Sequence, residues 1–250
     1  MIKIHILTLF PAMFHGFLSE SIPFIAQEKG KLSVNLINIR DFSEDKHRKV
    51  DDYPYGGGAG LVMKPEPIAG AIESVLKNIQ PDNECSEKTT ESIIKSSEAK
   101  IPIIYFTPQG RLLNQQTIRN YLITPEIIIV CGHYKEIDQR IRDKYITDEI
   151  SIGDYVLSGG ELPAMVFTDA IARLLDDVIS DLESALTDSH ENGLLGYPCY
   201  TRPYEFQGMK VPDVLVSGHH KEIEKWCKEK SMELTAKIRP ELLGKKMENG

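Results

Sequence analysis

Two stretches of the chain are apolar at nearly every position. Residues 101–106 read Ile-Pro-Ile-Ile-Tyr-Phe, and residues 127–131 read Ile-Ile-Ile-Val-Cys. A strand with one face in water alternates apolar and polar side chains. A run without alternation is covered on both faces, as in a parallel sheet flanked by helices. These two runs therefore predict central strands of an α/β fold with a parallel sheet. Other segments agree. Residues 2–9 are rich in Ile and Leu and alternate, and residues 32–38 read as a further strand. Pro11 suits a helix start, and Met13, Phe14, Phe17 and Leu18 follow it at helical spacing. Residues 63–79 predict a helix with Ile68, Ile72 and Leu76 on one face. A helix opened near Leu162-Pro163 carries Met165, Val166, Ala170, Ile171 and Leu174 on one stripe and ends near Asp176-Asp177.

Glycine-bearing turns follow the strands. Thr107-Pro-Gln-Gly110 follows the first apolar run and Gly132-His-Tyr134 the second. The next comparable segment, Ser151–Pro163, holds three glycines, a proline, two serines and two carboxylates. Glycine permits positive φ and lets a ligand approach the main chain. Tyr155, Val156 and Leu157 set an apolar wall beside that backbone. A glycine-rich connection without a ligand fits any one of these turns. Three of them at one sheet edge favour a site, because open α/β sheets bind ligands beyond the C-terminal ends of their strands.

Arg40–Gly60 is long and charged and carries three consecutive glycines, Gly56, Gly57 and Gly58. Lys46, His47, Arg48 and Lys49 cluster beside Asp51 and Asp52, with Tyr53 and Tyr55 following. The mix suits a phosphate-and-base contact surface, and it also suits a solvated loop. Residues 80–99 are polar and rich in Ser and Thr, which predicts a mobile insertion. Residues 178–199 read as an interdomain linker between a domain at 1–177 and a helical one at 200–250. In the latter, a helix is expected from Ser217 to about Lys230, with Ile223, Trp226 and Cys227 on one face, and a short one near Pro240–Leu243. Ten Lys and Arg against eight Asp and Glu make residues 200–250 slightly basic on a chain of net charge −8.

That net charge argues against a strong non-specific nucleic-acid binder but leaves room for basic patches. The four cysteines form no CxxC pair, which argues for a reducing compartment and against a zinc site. The first residues do not form a signal peptide, and no apolar run approaches a membrane span. A cytoplasmic protein is expected.

Thr8-Leu-Phe-Pro11, Arg40-Asp-Phe42, His47-Arg48, Val50-Asp-Asp52, Pro54-Tyr-Gly-Gly-Gly58, Thr107-Pro-Gln-Gly110, Ser151–Pro163 and Tyr200-Thr-Arg-Pro203 occur in one order. Together they closely resemble the bacterial tRNA (guanine-37-N1)-methyltransferases, the TrmD family of the SPOUT superfamily. The resemblance spans nearly the whole chain and is missing only at 80–99. It implies a deep trefoil knot, which chain-threading rules alone do not suggest. It implies S-adenosylmethionine held by Tyr105, Phe106, Thr107, Pro108, Gln109, Gly110, Gly132, His133 and Tyr134. It extends that site to Ser151, Ile152, Gly153, Asp154, Tyr155, Val156, Leu157, Gly159, Gly160 and Pro163. It implies an obligate homodimer whose two sites each draw on both subunits. The tRNA contacts are expected from Lys46, His47, Arg48, Asp51, Asp52, Gly56, Gly57, Gly58 and Arg202. Mg2+ assistance is left open, and no metal ligand set is assigned; His133 is a weak candidate with no histidine near it in sequence.

The same resemblance assigns catalysis to Asp188, in the linker, and Arg173, on the helix after the glycine-rich loop. The chemistry fits both. Guanine N1 carries a proton at neutral pH, so a carboxylate must remove it during methyl transfer. Charge then spreads to O6, where a guanidinium stabilises it. From the residues alone Asp188 would pass for a cap or a solvated acid. A binding module for an adenosine ligand or RNA would need neither residue, and a knotted methyltransferase acting on ribosomal RNA would not need the Val50–Gly58 pattern. One segment departs from the family. Where it usually reads Gly-Arg-Tyr-Glu-Gly-Ile-Asp, this chain has Gly132-His-Tyr-Lys-Glu-Ile-Asp138. Glu136 is expected to be strained if that glycine needs positive φ, to replace the lost carboxylate, or to sit in a rebuilt turn.

Overall fold

The computed structural model describes residues 1–79, 101–179 and 188–244. The predicted insertion at 80–99 and part of the predicted linker lie outside the described residues. The chain divides into two units, Met1–Ser180 and Asp181–Gly250.

The first unit is built on a five-stranded sheet. Its strands are β1 (Ile2–Thr8), β2 (Leu32–Asn38), β5 (Ile103–Leu112), β6 (Glu126–Val130) and β8 (Asp148–Ser151). They lie in the order β2-β1-β6-β5-β8, and every pairing is parallel. The non-alternating runs at 103–106 and 127–130 occupy interior positions, as a two-faced burial demands. Successive residues point to opposite faces. Ile104, Phe106, Ile127 and Ile129 join one cluster with Phe167 and Ile171 of the helix Glu161–Arg173. Ile103, Tyr105, Ile128 and Val130 join another with Ile68 and Ile72 of the helix Pro65–Ile79.

Three small strands form a second sheet. β3 (Asp51–Asp52) pairs antiparallel with β4 (Val62–Met63), and β4 pairs parallel with β7 (Glu136–Ile137). The expected long loop at Arg40–Gly60 is thus pinned in its middle, at Asp51–Asp52, and just past its end, at Val62–Met63. Strand β5 also outruns its expected end. Phe106 and Arg111 both face Ile150 across β8, so residues 107–110 loop out of a continuing strand. The helix after the third glycine-rich segment ends at Arg173, short of Asp176-Asp177. The short helices Gln115–Tyr121 and Gln139–Tyr145 carry too little periodicity to be read from sequence. Their starts are capped by Asn114 and Asp138 side chains.

The second unit holds a hairpin of β9 (Glu205–Phe206) and β10 (Met209–Lys210), and the helices Asp213–Val216, His220–Ile238 and Glu241–Gly244. The long helix continues past the expected end at Lys230. Ser231 to Ile238 contains no Gly or Pro, and the helix stops where Arg239 precedes Pro240. The Thr235 hydroxyl accepts from the Leu195 amide at 2.9 Å, tying the irregular stretch before the hairpin to that helix.

Candidate active site

Strands β6, β5 and β8 are neighbours, and the loop-out of β5 together with the segments that follow β6 and β8 lines one cavity of about 250 Å³. Each segment is shaped by contacts that leave no room for a side chain. At Gly110 a Cβ would stand 2.4 Å from the Ile150 nitrogen, so the loop-out of β5 closes only with glycine. At Gly132 a Cβ would stand 2.8 Å from the Tyr105 ring. At Gly160 it would stand 2.8 Å from Cys131 Cα, and the Gly160 amide donates to the Gly132 carbonyl at 2.8 Å. The second and third segments are stitched there, and His133 bridges Gly159 beside it. The left-handed residue in the second segment is Tyr134, at φ +63.

The third segment begins with Ser151. Its hydroxyl accepts from the Gly153 amide at 3.2 Å and donates to the Gly153 carbonyl at 3.0 Å. The Tyr155 hydroxyl donates to the Ile152 carbonyl at 3.1 Å. Tyr155, Val156 and Leu157 remain exposed, a lipped apolar wall. Behind it, buried Glu161 accepts from the Thr8 hydroxyl at 2.8 Å, and that hydroxyl accepts from the Phe10 amide. Burial and the Glu161 charge push the Cys131 thiol well above its usual range, so it stays neutral.

Of the residues expected to hold the donor, Gly110 and Asp154 stand outside the cavity lining. Lys135, Glu136, Ile150 and Ser158 line it and were not among them. Glu136 is not strained. It lies in β7, and its carboxylate accepts from the Tyr105 hydroxyl. Burial, first, and that bond to Glu136 push the Tyr105 hydroxyl far above its ordinary value. Lys135 turns the other way. A Cβ on Gly60 would lie 3.4 Å from Lys135 Cβ, and one on Gly58 would lie 3.8 Å from Lys135 Nζ. The charged loop therefore reaches the cavity rim. In that loop Asp45 accepts from the His47 and Lys49 amides, which lowers its pKa, and Arg48 pairs with Asp41 at 3.0 Å. Lys46, His47, Asp52, Tyr53 and Tyr55 are exposed, Asp51 is half-buried, and Gly56, Gly57 and Gly58 all have positive φ.

Arg173 does not line the cavity of its own chain. It ends the helix that starts at Glu161, about 18 Å further on at 1.5 Å per residue. Asp188 and Arg202 belong to the second unit. There Arg202 lines a surface cavity with Tyr200, Tyr204 and Val216. No group of three metal-ligating side chains occurs among the described residues, and no described helix is long and apolar enough to cross a membrane.

Open parallel α/β sheets bind small ligands at this edge, and a concave, glycine-walled cavity there is the place to expect one. The comparisons with known proteins name the family. The family model for tRNA (Guanine-1)-methyltransferase TrmD matches residues 2–245. A tRNA (guanine-N(1)-)-methyltransferase of Lachnoclostridium phytofermentans is 49% identical over 247 residues, covering 96% of this chain and 90% of the relative. Proteins of the same name from Halalkalibacterium halodurans and Clostridioides difficile are 49% and 46% identical over 98% of the chain, covering 93% and 99% of those relatives. The chain belongs to the TrmD family of methyltransferases.

Proposed function

We propose that the chain methylates N1 of guanine-37 in tRNA, with S-adenosylmethionine as donor. The observation that carries this is the cavity formed by three glycine-bearing segments, the loop-out of β5 and the stretches after β6 and β8. At Gly132, Gly153, Gly159 and Gly160 a Cβ would meet protein atoms at 2.4–2.8 Å, so these segments pack more closely than side chains allow while lining the cavity, which fits a nucleoside held along the main chain. Residues 105–109, 132–134 and 151–163 of the lining would hold it. S-adenosylmethionine, when bound, supplies a methyl group carried on a good leaving group. Asp188 accepts the N1 proton of guanine, and Arg173 donates to O6 as charge gathers there. The loop around Lys46 and Arg48, together with the second unit around Arg202, takes the tRNA.

Arg173 lies about one helix length from its own chain's cavity. That separation favours a homodimer in which a partner's Arg173 and Asp188 complete each site. The family relationship carries the further expectations of a trefoil knot through the three segments and of a cytoplasmic location.

The test uses radiolabelled S-adenosylmethionine and tRNA transcripts that differ only at guanine-37 and its 5′ neighbour. Label should enter only transcripts with guanine-37, best with guanine before it. Equal labelling without guanine-37 would overturn the reading.

A further inference from the structure

One guanidinium bonds to the first segment of the cavity and to residues flanking the other two. Arg142 lies on the helix Gln139–Tyr145, and its side chain is only 9% exposed. Its Nε and Nη2 donate to the two Glu149 oxygens at 2.8 and 2.6 Å, a fork that holds the strand leading into Ser151. Nη2 also donates to Gln109 Oε1 at 3.0 Å, on the loop-out of β5. Nη1 donates to Glu136 Oε2 at 3.3 Å, just after the Gly132–Tyr134 turn. The other Glu136 oxygen accepts from the Tyr105 hydroxyl, and Arg142 lies 5.8 Å from the Tyr105 ring centre. Gln109, Glu136 and Tyr105 all line the cavity, whereas Arg142 and Glu149 do not. Arg142 thus acts on the cavity only through others.

We propose that Arg142 is a positioning residue for the methyl-donor site, a clamp that fixes Gln109, Glu136 and Tyr105 relative to one another. The proposal rests on the donor-site reading of the cavity. A planar fork suits the task because five N–H donors leave in fixed directions, so bonds to one partner set the directions available to the others. The two carboxylates share one cation. Glu149 takes the short bidentate bonds, and Glu136 keeps a longer single one together with the tyrosine. Glu136 therefore retains acceptor capacity toward the cavity while its orientation is held. Preorganised polar groups lower the ordering cost of binding, so the clamp's effect falls on donor affinity.

The experiment is calorimetric titration of S-adenosylmethionine into the full-length protein, with steady-state kinetics beside it. Arg142→Met should weaken donor binding at least tenfold and raise the donor KM by the same factor. Its kcat at saturating donor should stay within about threefold, because the guanidinium touches no reacting atom. Arg142→Lys should recover only part of the affinity, since an ammonium cannot fork. Tyr105→Phe removes only the hydroxyl that holds Glu136 and guards against a misfolded Arg142 variant. It should weaken donor binding several-fold. Wild-type donor affinity in Arg142→Met or in Tyr105→Phe would overturn the clamp, whatever happens to melting temperature. So would full rescue by lysine. Failure of the unaltered protein to bind donor would instead overturn the donor-site reading itself.

Discussion

The unit Met1–Ser180 buries two apolar clusters against opposite faces of its sheet, whereas in the second unit the long helix buries only Ser231 and Thr235. The first unit presents a cavity whose walls are backed by buried strands. The second presents aromatic and basic side chains on its surface: Tyr200, Tyr204 and Phe206 are about half exposed or more, beside Arg202. Interior packing holds a wall to fractions of an ångström, and donor alignment needs that precision. A surface that meets a large flexible polymer needs charge and stacking area more than rigidity. If that division is right, damage to the two regions should be separable.

The largest effect should come from Asp188→Asn, in the second unit. It should lower kcat by about 10²–10⁴-fold, the usual range for a lost acid–base group, while donor affinity stays within about twofold. Gly160→Val should do the opposite. Its side chain meets the Cys131 and Gly132 backbone, so donor affinity should fall at least a hundredfold, by calorimetry, with tRNA affinity retained. A mixed dimer of the two variants sharpens the comparison further. Composite sites would place both lesions in one site and recover about half of wild-type activity, whereas sites built within one chain would stay dead.

A smaller effect concerns support behind the cavity. Thr8→Val removes the hydroxyl that donates to buried Glu161 and accepts from the Phe10 amide. Leaving those groups unsatisfied should cost about 1–3 kcal/mol, read as a lower denaturation midpoint with unchanged slope. Smallest is a labelling difference at neutral pH. Cys131 is buried and its thiol is held protonated, while Cys199 is exposed. Reactivity follows the thiolate and its access. An alkylating reagent should modify Cys199 in the native protein and reach Cys131 only on unfolding. Equal rates would mean that the first unit opens as readily as the second.

Much of this cavity was legible in the sequence. The three turns at 107–110, 132–134 and 151–160 could be placed at one sheet edge because strand type follows from alternation, and ligand position follows from strand type. Fifteen of the lining residues sit within those turns for that reason, with Tyr105, Phe106 and Pro163 at their borders. What stayed illegible depends on pairings between distant segments. Glu136 reads as a misplaced turn residue until β7 is seen to pair with β4. Arg142 reads as one more charge on a short polar helix until Gln109, Glu136 and Glu149 converge on it. Gly110 looks like a ligand contact, but the backbone of Glu149 and Ile150 is what excludes a side chain there.

The amino-acid sequence by itself determined the parallel α/β class, the interior strands and the residues at the cavity edge. These are properties of local pattern, since hydrophobic alternation and glycine act on the residues that carry them. Tertiary structure alone decided that Lys135 turns toward the glycine loop, that Glu136 turns toward Tyr105, and that Arg173 ends far from the cavity its helix begins. Those outcomes depend on which segments meet in space, and a charged side chain takes its role from the partners it meets.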